Sequence, residues 1–184
     1  MEVEVIRSRR KTLSAQIREG RVTVRAPLRT TDAEIRQFLE KHRRWLEKHL
    51  AKSRELEETK NSLRRLTPED IRALKKQARK VIPERAAYYA PLIGVTYGGI
   101  SIRCQKTRWG SCSSKGNLSF NCLLMLTPPG VVDSIVVHEL CHRKVMNHSA
   151  RFYAEVLKVL PEYRQHQKWL REHGEMILAM ADKA

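Results

Sequence analysis

Apolar and polar residues alternate at the start of the chain. Leu13, Ala15 and Ile17, then Val22 and Val24, recur every second position, with a turn signal at Glu19-Gly20 between the two runs. This pattern predicts strands near residues 2–7, 12–18 and 21–26, the last two as a hairpin that Pro27 ends. From Thr31 the period lengthens. Ile35, Phe38, Leu39, Trp45, Leu46 and Leu50 fall at helical spacings, and Thr31 or Asp32 can cap the helix they define, which is read as continuous to Glu58. A second helix is expected to start at Thr67-Pro68, with proline suited to the first turn, and Pro83 to kink or divide it before Tyr89.

The middle of the chain returns to period two. Ile100, Ile102 and Cys104 alternate with Ser101, Arg103 and Gln105; Lys115-Gly116 signals a turn, and NLSFN (117–121) resumes an extended pattern. Pro128-Pro129 opens the next helix, which carries HELCH (138–142). The chain breaks after Asn147. SARFYAEVLKVL (149–160) and PEYRQHQKWLREHG (161–174) read as two more helices, the last ended by Gly174. The expectation is an α+β chain with an N-terminal hairpin and helices over 1–94 and a core over 95–184, folded as one compact unit.

Charge adds a statement about partners. The chain has 36 basic and 20 acidic residues, a net charge of +16. Residues 1–94 hold 24 of the basic and 13 of the acidic side chains, so +11 of the +16 lies before the histidine-rich part. Such a surplus concerns partners rather than fold. Arg43, Arg44, Lys48 and Lys52, with Arg64, Arg65, Lys75, Lys76, Arg79 and Lys80, form a face able to track a phosphate backbone; Glu/Lys spacings on the same helices also suit plain solvation.

Cys104, Cys112, Cys122 and Cys141 contain no CxxC pair, which argues against a structural zinc ribbon. No signal peptide is visible, and no run approaches the ~18 apolar residues that cross a bilayer. Cytoplasmic location with reduced thiols is the expectation.

The chemistry concentrates at HELCHRKVMNHSARF (138–152). Successive helical residues turn by about 100°, so His138 and His142 lie about 40° apart, one turn from each other, and can reach one ion. Glu139 projects to the side, where a base acting on a bound water belongs. Val136 and Leu140 face the opposite way, toward a core. A chain with 7 histidines would contain HExxH by chance roughly 0.02 times. Asn147 suits a left-handed helix terminus, and a reversal there brings His148 back over the same face. Three neutral imidazoles with an open position describe a catalytic zinc site. Glu155 and Glu162, on later helices, are the alternatives to His148.

Three segments together, KTRWGSCSSKGNLSFN (106–121), HELCH (138–142) and NHSARF (147–152), resemble the YgjP-like metallopeptidase domain family, a relative of the SprT-like and WLM-type zinc proteases. RRKTLSAQIREGRVTVRAP (9–27) resembles that family's opening hairpin. The resemblance implies a minimal zincin: an active-site helix under a small antiparallel sheet, with a helical N-terminal extension. It also implies His138, His142 and His148 as ligands of Zn2+, Glu139 as general base, and a peptide or protein as substrate.

Further expectations attach to single residues. Tyr153, Tyr163, His166 and Arg108 are candidates by type for a second electrophile. NLSFN is read as the edge strand over the active-site helix, able to pair with an extended peptide. Trp109 reads as a packing aromatic, Gly110 as a position of close approach, and Cys112 and Cys141 as small buried groups beside the site. His42, His49, His166 and His173 lack partner spacing. Two other functions compete with a peptidase: metal-dependent hydrolysis of nucleoside triphosphates, although SCSSKG is not a phosphate-binding loop, and a zinc-stabilised nucleic-acid-binding module.

Overall fold

The computed structural model describes residues 3–18 and 20–181. The chain forms two compact units, Met1–Leu63 and Arg64–Ala184.

In the first unit, β1 (Val3–Ser8), β2 (Ser14–Arg18) and β3 (Arg21–Pro27) form a sheet in the order β1-β3-β2. β2 and β3 make the expected antiparallel hairpin, with Ala15 opposite Val24 and Ile17 opposite Val22. Of its turn pair, Glu19 lies outside the described residues; Gly20 takes φ 71°, a left-handed conformation that favours glycine. β1 lies on the other side of β3 and runs parallel to it. Val22, Val24 and Ala26 of the central strand are fully buried against Ile35, Leu46 and Leu50. Thr31 caps α1 (Asp32–Lys41) in a capping box: its hydroxyl accepts from the Glu34 amide, and the Glu34 carboxylate accepts from the Thr31 amide. The single long helix expected here is two. The chain bends at His42 (φ −104°, ψ 10°) before α2 (Arg43–Ser62).

The second unit holds the histidine motif. Its first helix, α3 (Pro68–Ile93), starts on a Thr67 cap and runs unbroken through Pro83. A helical proline forfeits one hydrogen bond and crowds the preceding turn. Here Leu74, Ala78, Ile82, Ala86, Ala90 and Ile93 form a buried stripe that continues across it, and that burial keeps the helix whole. The expected boundary after residue 94 assigns α3 to the N-terminal part; its buried stripe belongs instead to the core of this unit.

β4 (Ile100–Arg103), β5 (Gly110–Cys112) and β6 (Leu118–Asn121) follow, in the order β4-β6-β5. The sheet is mixed rather than wholly antiparallel, since β4 runs parallel to β6 and β5 antiparallel. β6, which carries NLSFN, is therefore the central strand and not the edge. Leu118 and Phe120 are buried in the core.

After a short 3-10 helix (Cys122–Leu126) comes α4 (Pro129–Cys141), then α5 (Ala150–Val159) and α6 (Tyr163–Met180). α4 is enclosed on nearly every side: Val131, Val132, Ile135, Val136, Val137, Leu140 and Cys141 are all buried. The expected polar face reduces to Glu139 and the histidines. Arg85 of α3 donates to both oxygens of Asp133 on α4, at 2.6 and 2.8 Å, and the Tyr89 hydroxyl donates to the same carboxylate. Gly174 does not end the last helix. It lies buried within α6, facing the Trp109 indole, where an added Cβ would meet the ring at 3.2 Å.

Candidate metal centre

α4 ends at Cys141, with His142 as its C-cap residue. The chain then turns tightly: the Arg143 amide donates to Leu140, and the Lys144 and Val145 amides donate to Cys141. The reversal thus begins several residues before Asn147. It fixes one histidine directly, because His142 Nδ1–H donates to the Val145 carbonyl at 3.1 Å. The Nε2 lone pair of His142 is then left to face the other imidazoles.

His138 and His142 sit one helical turn apart, as their spacing requires, with Nε2 atoms 3.2 Å apart. His148, from the segment before α5, brings its Nε2 to 3.0 Å from that of His138. The ligand atoms of the three all lie within 4.8 Å of one another. With metal–nitrogen bonds of about 2.0–2.1 Å, tetrahedral ligands stand roughly 3.3 Å apart, so the imidazoles fit an ion of that size. Burial, followed by the two neighbouring histidines, lowers the His138 pKa to about 3, so this imidazole stays neutral and able to ligate. Burial lowers that of His142 as well.

Phe152 provides a floor common to all three. It is fully buried, and its ring centroid lies 4.8, 4.6 and 5.1 Å from those of His138, His142 and His148. It stands four residues beyond His148 in NHSARF, in the first turn of α5, so that segment supplies both a candidate ligand and its support.

Glu139 is 5% exposed, and its Oε2 has no hydrogen-bond partner. Burial raises its pKa to about 7. A buried carboxyl without a partner is costly unless it holds a proton or faces a polar ligand. Its other oxygen lies against Gly110 of β5: a Cβ there would stand 2.6 Å from Oε1. Gly110 is held in turn by Asn121. That fully buried side chain donates to the carbonyls of Gln105 and Arg108, at 2.7 and 2.9 Å, and accepts from the Leu123 amide. The loop into β5 is thereby pinned to the end of β6.

The YgjP-like metallopeptidase domain family matches residues 11–72 and 64–173. The chain belongs to that family. Among solved structures it is similar to the metallopeptidase zymogen of Pyrococcus abyssi abylysin, at 21% identity and a TM-score of 0.46, covering 50% of this chain and 94% of that one. It is also similar to the metallopeptidase zymogen of Methanocaldococcus jannaschii jannalysin, at 20% identity and a TM-score of 0.45, covering 50% of this chain and 96% of that one. No curated protein matches.

Membership in a metallopeptidase family implies a metal ion, and the three imidazoles form the cluster that can hold one. In this YgjP-like domain, Glu155 is engaged elsewhere: Lys158 and Lys144 bind its carboxylate at 2.8 and 2.9 Å and hold its pKa at about 2. Glu162 is the exposed N-cap residue of α6. The structure brings His148, and neither glutamate, to the histidine pair.

The four candidates for a second electrophile separate. The Tyr163 hydroxyl lies 2.7 Å from His138 Nδ1, on the side of the ring away from Nε2, where it orients the imidazole. His166 packs over Gly130. Arg108 is exposed, with its backbone carbonyl bound by Asn121. Tyr153 is 40% exposed, its ring 6.4 Å from that of His148. Cys141 is buried, which pushes its pKa up to about 12; Cys112 is half-buried and raised first by burial and then by Glu139. Phe152, Asn121 and the orienting role of Tyr163 carried no signal beyond residue type, since each depends on contacts between distant segments.

Proposed function

We propose that the chain is a zinc-dependent peptidase in which His138, His142 and His148 hold the metal and Glu139 is the general base. The observation that carries this reading is the convergence of three Nε2 atoms beside a buried, unpartnered carboxyl. Zinc, when bound, supplies a Lewis acid and an acidified water. Glu139 accepts a proton from the attacking water and returns it to the leaving amine, a task suited to a buried carboxyl with no hydrogen-bond partner on Oε2. His142 is held in the ligating tautomer by Val145, and Tyr163 fixes the plane of His138.

β5 supports a peptide as the substrate. It pairs with β6 on one edge only, and Gly110 brings its backbone against Glu139. An extended peptide added to the other edge presents its carbonyls beside that carboxyl. The four cysteines are unpaired, which suits a reducing cytoplasm. No described helix is long and apolar enough to cross a membrane.

Nucleic-acid contact is the secondary proposal, on a reduced set of residues. Arg43 pairs with Glu47, Arg64 with Asp70, and Arg65 donates to the Ala179 carbonyl. Arg44, Lys48 and Lys52 remain exposed in one row along α2, and Lys76, Arg79 and Lys80 are exposed on α3.

Elemental analysis of tag-free protein, coupled to a peptide-cleavage assay with and without chelator, tests the main reading. About one zinc per chain is expected, with cleavage lost on chelation and restored by zinc. Folded protein that takes up no zinc contradicts it.

A further inference from the structure

A cavity of about 380 Å³ opens between α5 and α6, lined by Tyr153, Leu157, Tyr163, Arg164, Gln167 and Arg171. It abuts the metal centre through two rings. Tyr163 touches His138, and Tyr153 lies beside His148, with the two tyrosine rings 6.3 Å apart. The distance from the His148 ring to Tyr153 is 6.4 Å. About two residues of extended peptide span that length.

The polar lining is of one kind. Arg164, Gln167 and Arg171 are spaced three and four apart on α6 and share a face. Both arginines are exposed, and neither forms an ion pair among the described residues. The lining includes no carboxylate. Between the arginines, the Gln167 amide nitrogen is buried without a hydrogen-bond partner. The two guanidinium groups give this face a positive charge that no lining residue offsets. Tyrosine and leucine supply apolar walls for the stem of a side chain.

We propose that this cavity is a substrate subsite for a carboxylate, carried by an acidic side chain or by the free C-terminus of the peptide. The inference rests on the peptidase reading and adds its specificity: the enzyme selects peptides that place a carboxylate in this cavity, with Arg164 and Arg171 as the selecting residues. Guanidinium groups match a carboxylate in charge and in paired hydrogen-bond geometry.

The test uses the zinc-loaded chain and one peptide sequence in matched forms: Glu or Gln at one position, and a free or amidated C-terminus. The readout is the ratio of kcat/KM between each acidic form and its neutral counterpart. A ratio of about ten to a hundred is expected in one arm, the scale of a charge-assisted hydrogen bond, and the arm that shows it identifies the source of the carboxylate. Arg164→Gln and Arg171→Gln bring that ratio toward one, and Arg171→Lys restores part of it. Wild-type ratios near one in both arms overturn the subsite while cleavage itself upholds the peptidase. If no form is cleaved, the peptidase reading falls. Fluorescence anisotropy with the same peptides then decides the subsite: acid-selective binding lost in Arg164→Gln upholds it, and equal binding of acidic and neutral forms overturns it.

Discussion

The carboxyl of Glu139 occupies the space that a side chain at Gly110 would need. A Cβ there would stand 2.6 Å from Oε1, 2.8 Å from Cγ and 3.0 Å from Cδ. The glycine of RWGSC and the glutamate of HELCH are thus one structural unit, formed where β5 passes over α4.

Gly110→Ala therefore displaces the proposed base and spares the imidazoles. The expected cost is about 1–3 kcal/mol of stability from overpacking. A shift of about 1 Å in a reacting group costs on the order of a hundredfold in rate. Thermal melting, zinc content and peptide turnover on one preparation check this: zinc stays near one per chain while turnover falls. Unchanged turnover would detach Gly110 from the site.

Tyr163→Phe removes the hydroxyl from His138 Nδ1 and keeps the buried ring. Partners of this kind hold ligand orientation, and their loss weakens metal binding by about ten- to a hundredfold. Competition with a chromogenic chelator measures the affinity. A folded variant with wild-type affinity would make the hydroxyl incidental.

The legible parts of the fold were those whose causes are local. Thr31 with Glu34, and Thr67 before Pro68, set helix starts within a few residues of sequence. The HELCH spacing set two imidazoles on one face. The parallel pairing of β1 with β3 and the central place of β6 were not legible, because alternation fixes which face a residue takes and not which strand lies beside it. The expected breaks at Pro83 and Gly174 failed for a related reason: the proline sits within a buried stripe, and the glycine makes room for Trp109. The bend at His42 has no local mark, since the apolar spacing runs on across it. At the candidate site, the convergence of His138, His142 and His148 was legible, but the contacts of Phe152, Asn121 and Tyr163 cross segments and needed the fold.

Glu139→Gln in metal-free protein gives a stability difference that depends on pH. The folded pKa of Glu139, about 7, lies above the ordinary 4.5. The folded wild type therefore holds a proton that the unfolded chain releases. That contribution is full below about 4.5 and lost as pH rises through about 7. Above it, folding buries an uncompensated carboxylate at a cost of roughly 3 kcal/mol. The glutamine variant gains stability over the wild type between pH 5 and pH 8. Urea melts at both values check the sign; equal differences at the two would contradict the burial argument.

Nucleic-acid contact through α2 predicts a steep salt dependence. Each phosphate contact contributes about −0.9 to the slope of log K against log salt on duplex DNA. Replacing both Lys48 and Lys52 by Gln should flatten that slope by about 2. Binding with no salt dependence, or a slope that the double variant leaves unchanged, would leave these residues as a solvated helix face.

The central claim meets its most direct test in one comparison: the rate at which new amino termini appear in unfolded casein, for wild type and Glu139→Gln loaded with equal zinc. The expected result is cleavage by the wild type and a rate at least about a hundredfold lower in the variant, with the same one zinc per chain, since general-base catalysis contributes that much or more. Equal rates for the two, or no cleavage by fully zinc-loaded wild type, would contradict the assignment of peptide hydrolysis to this carboxyl and these three imidazoles.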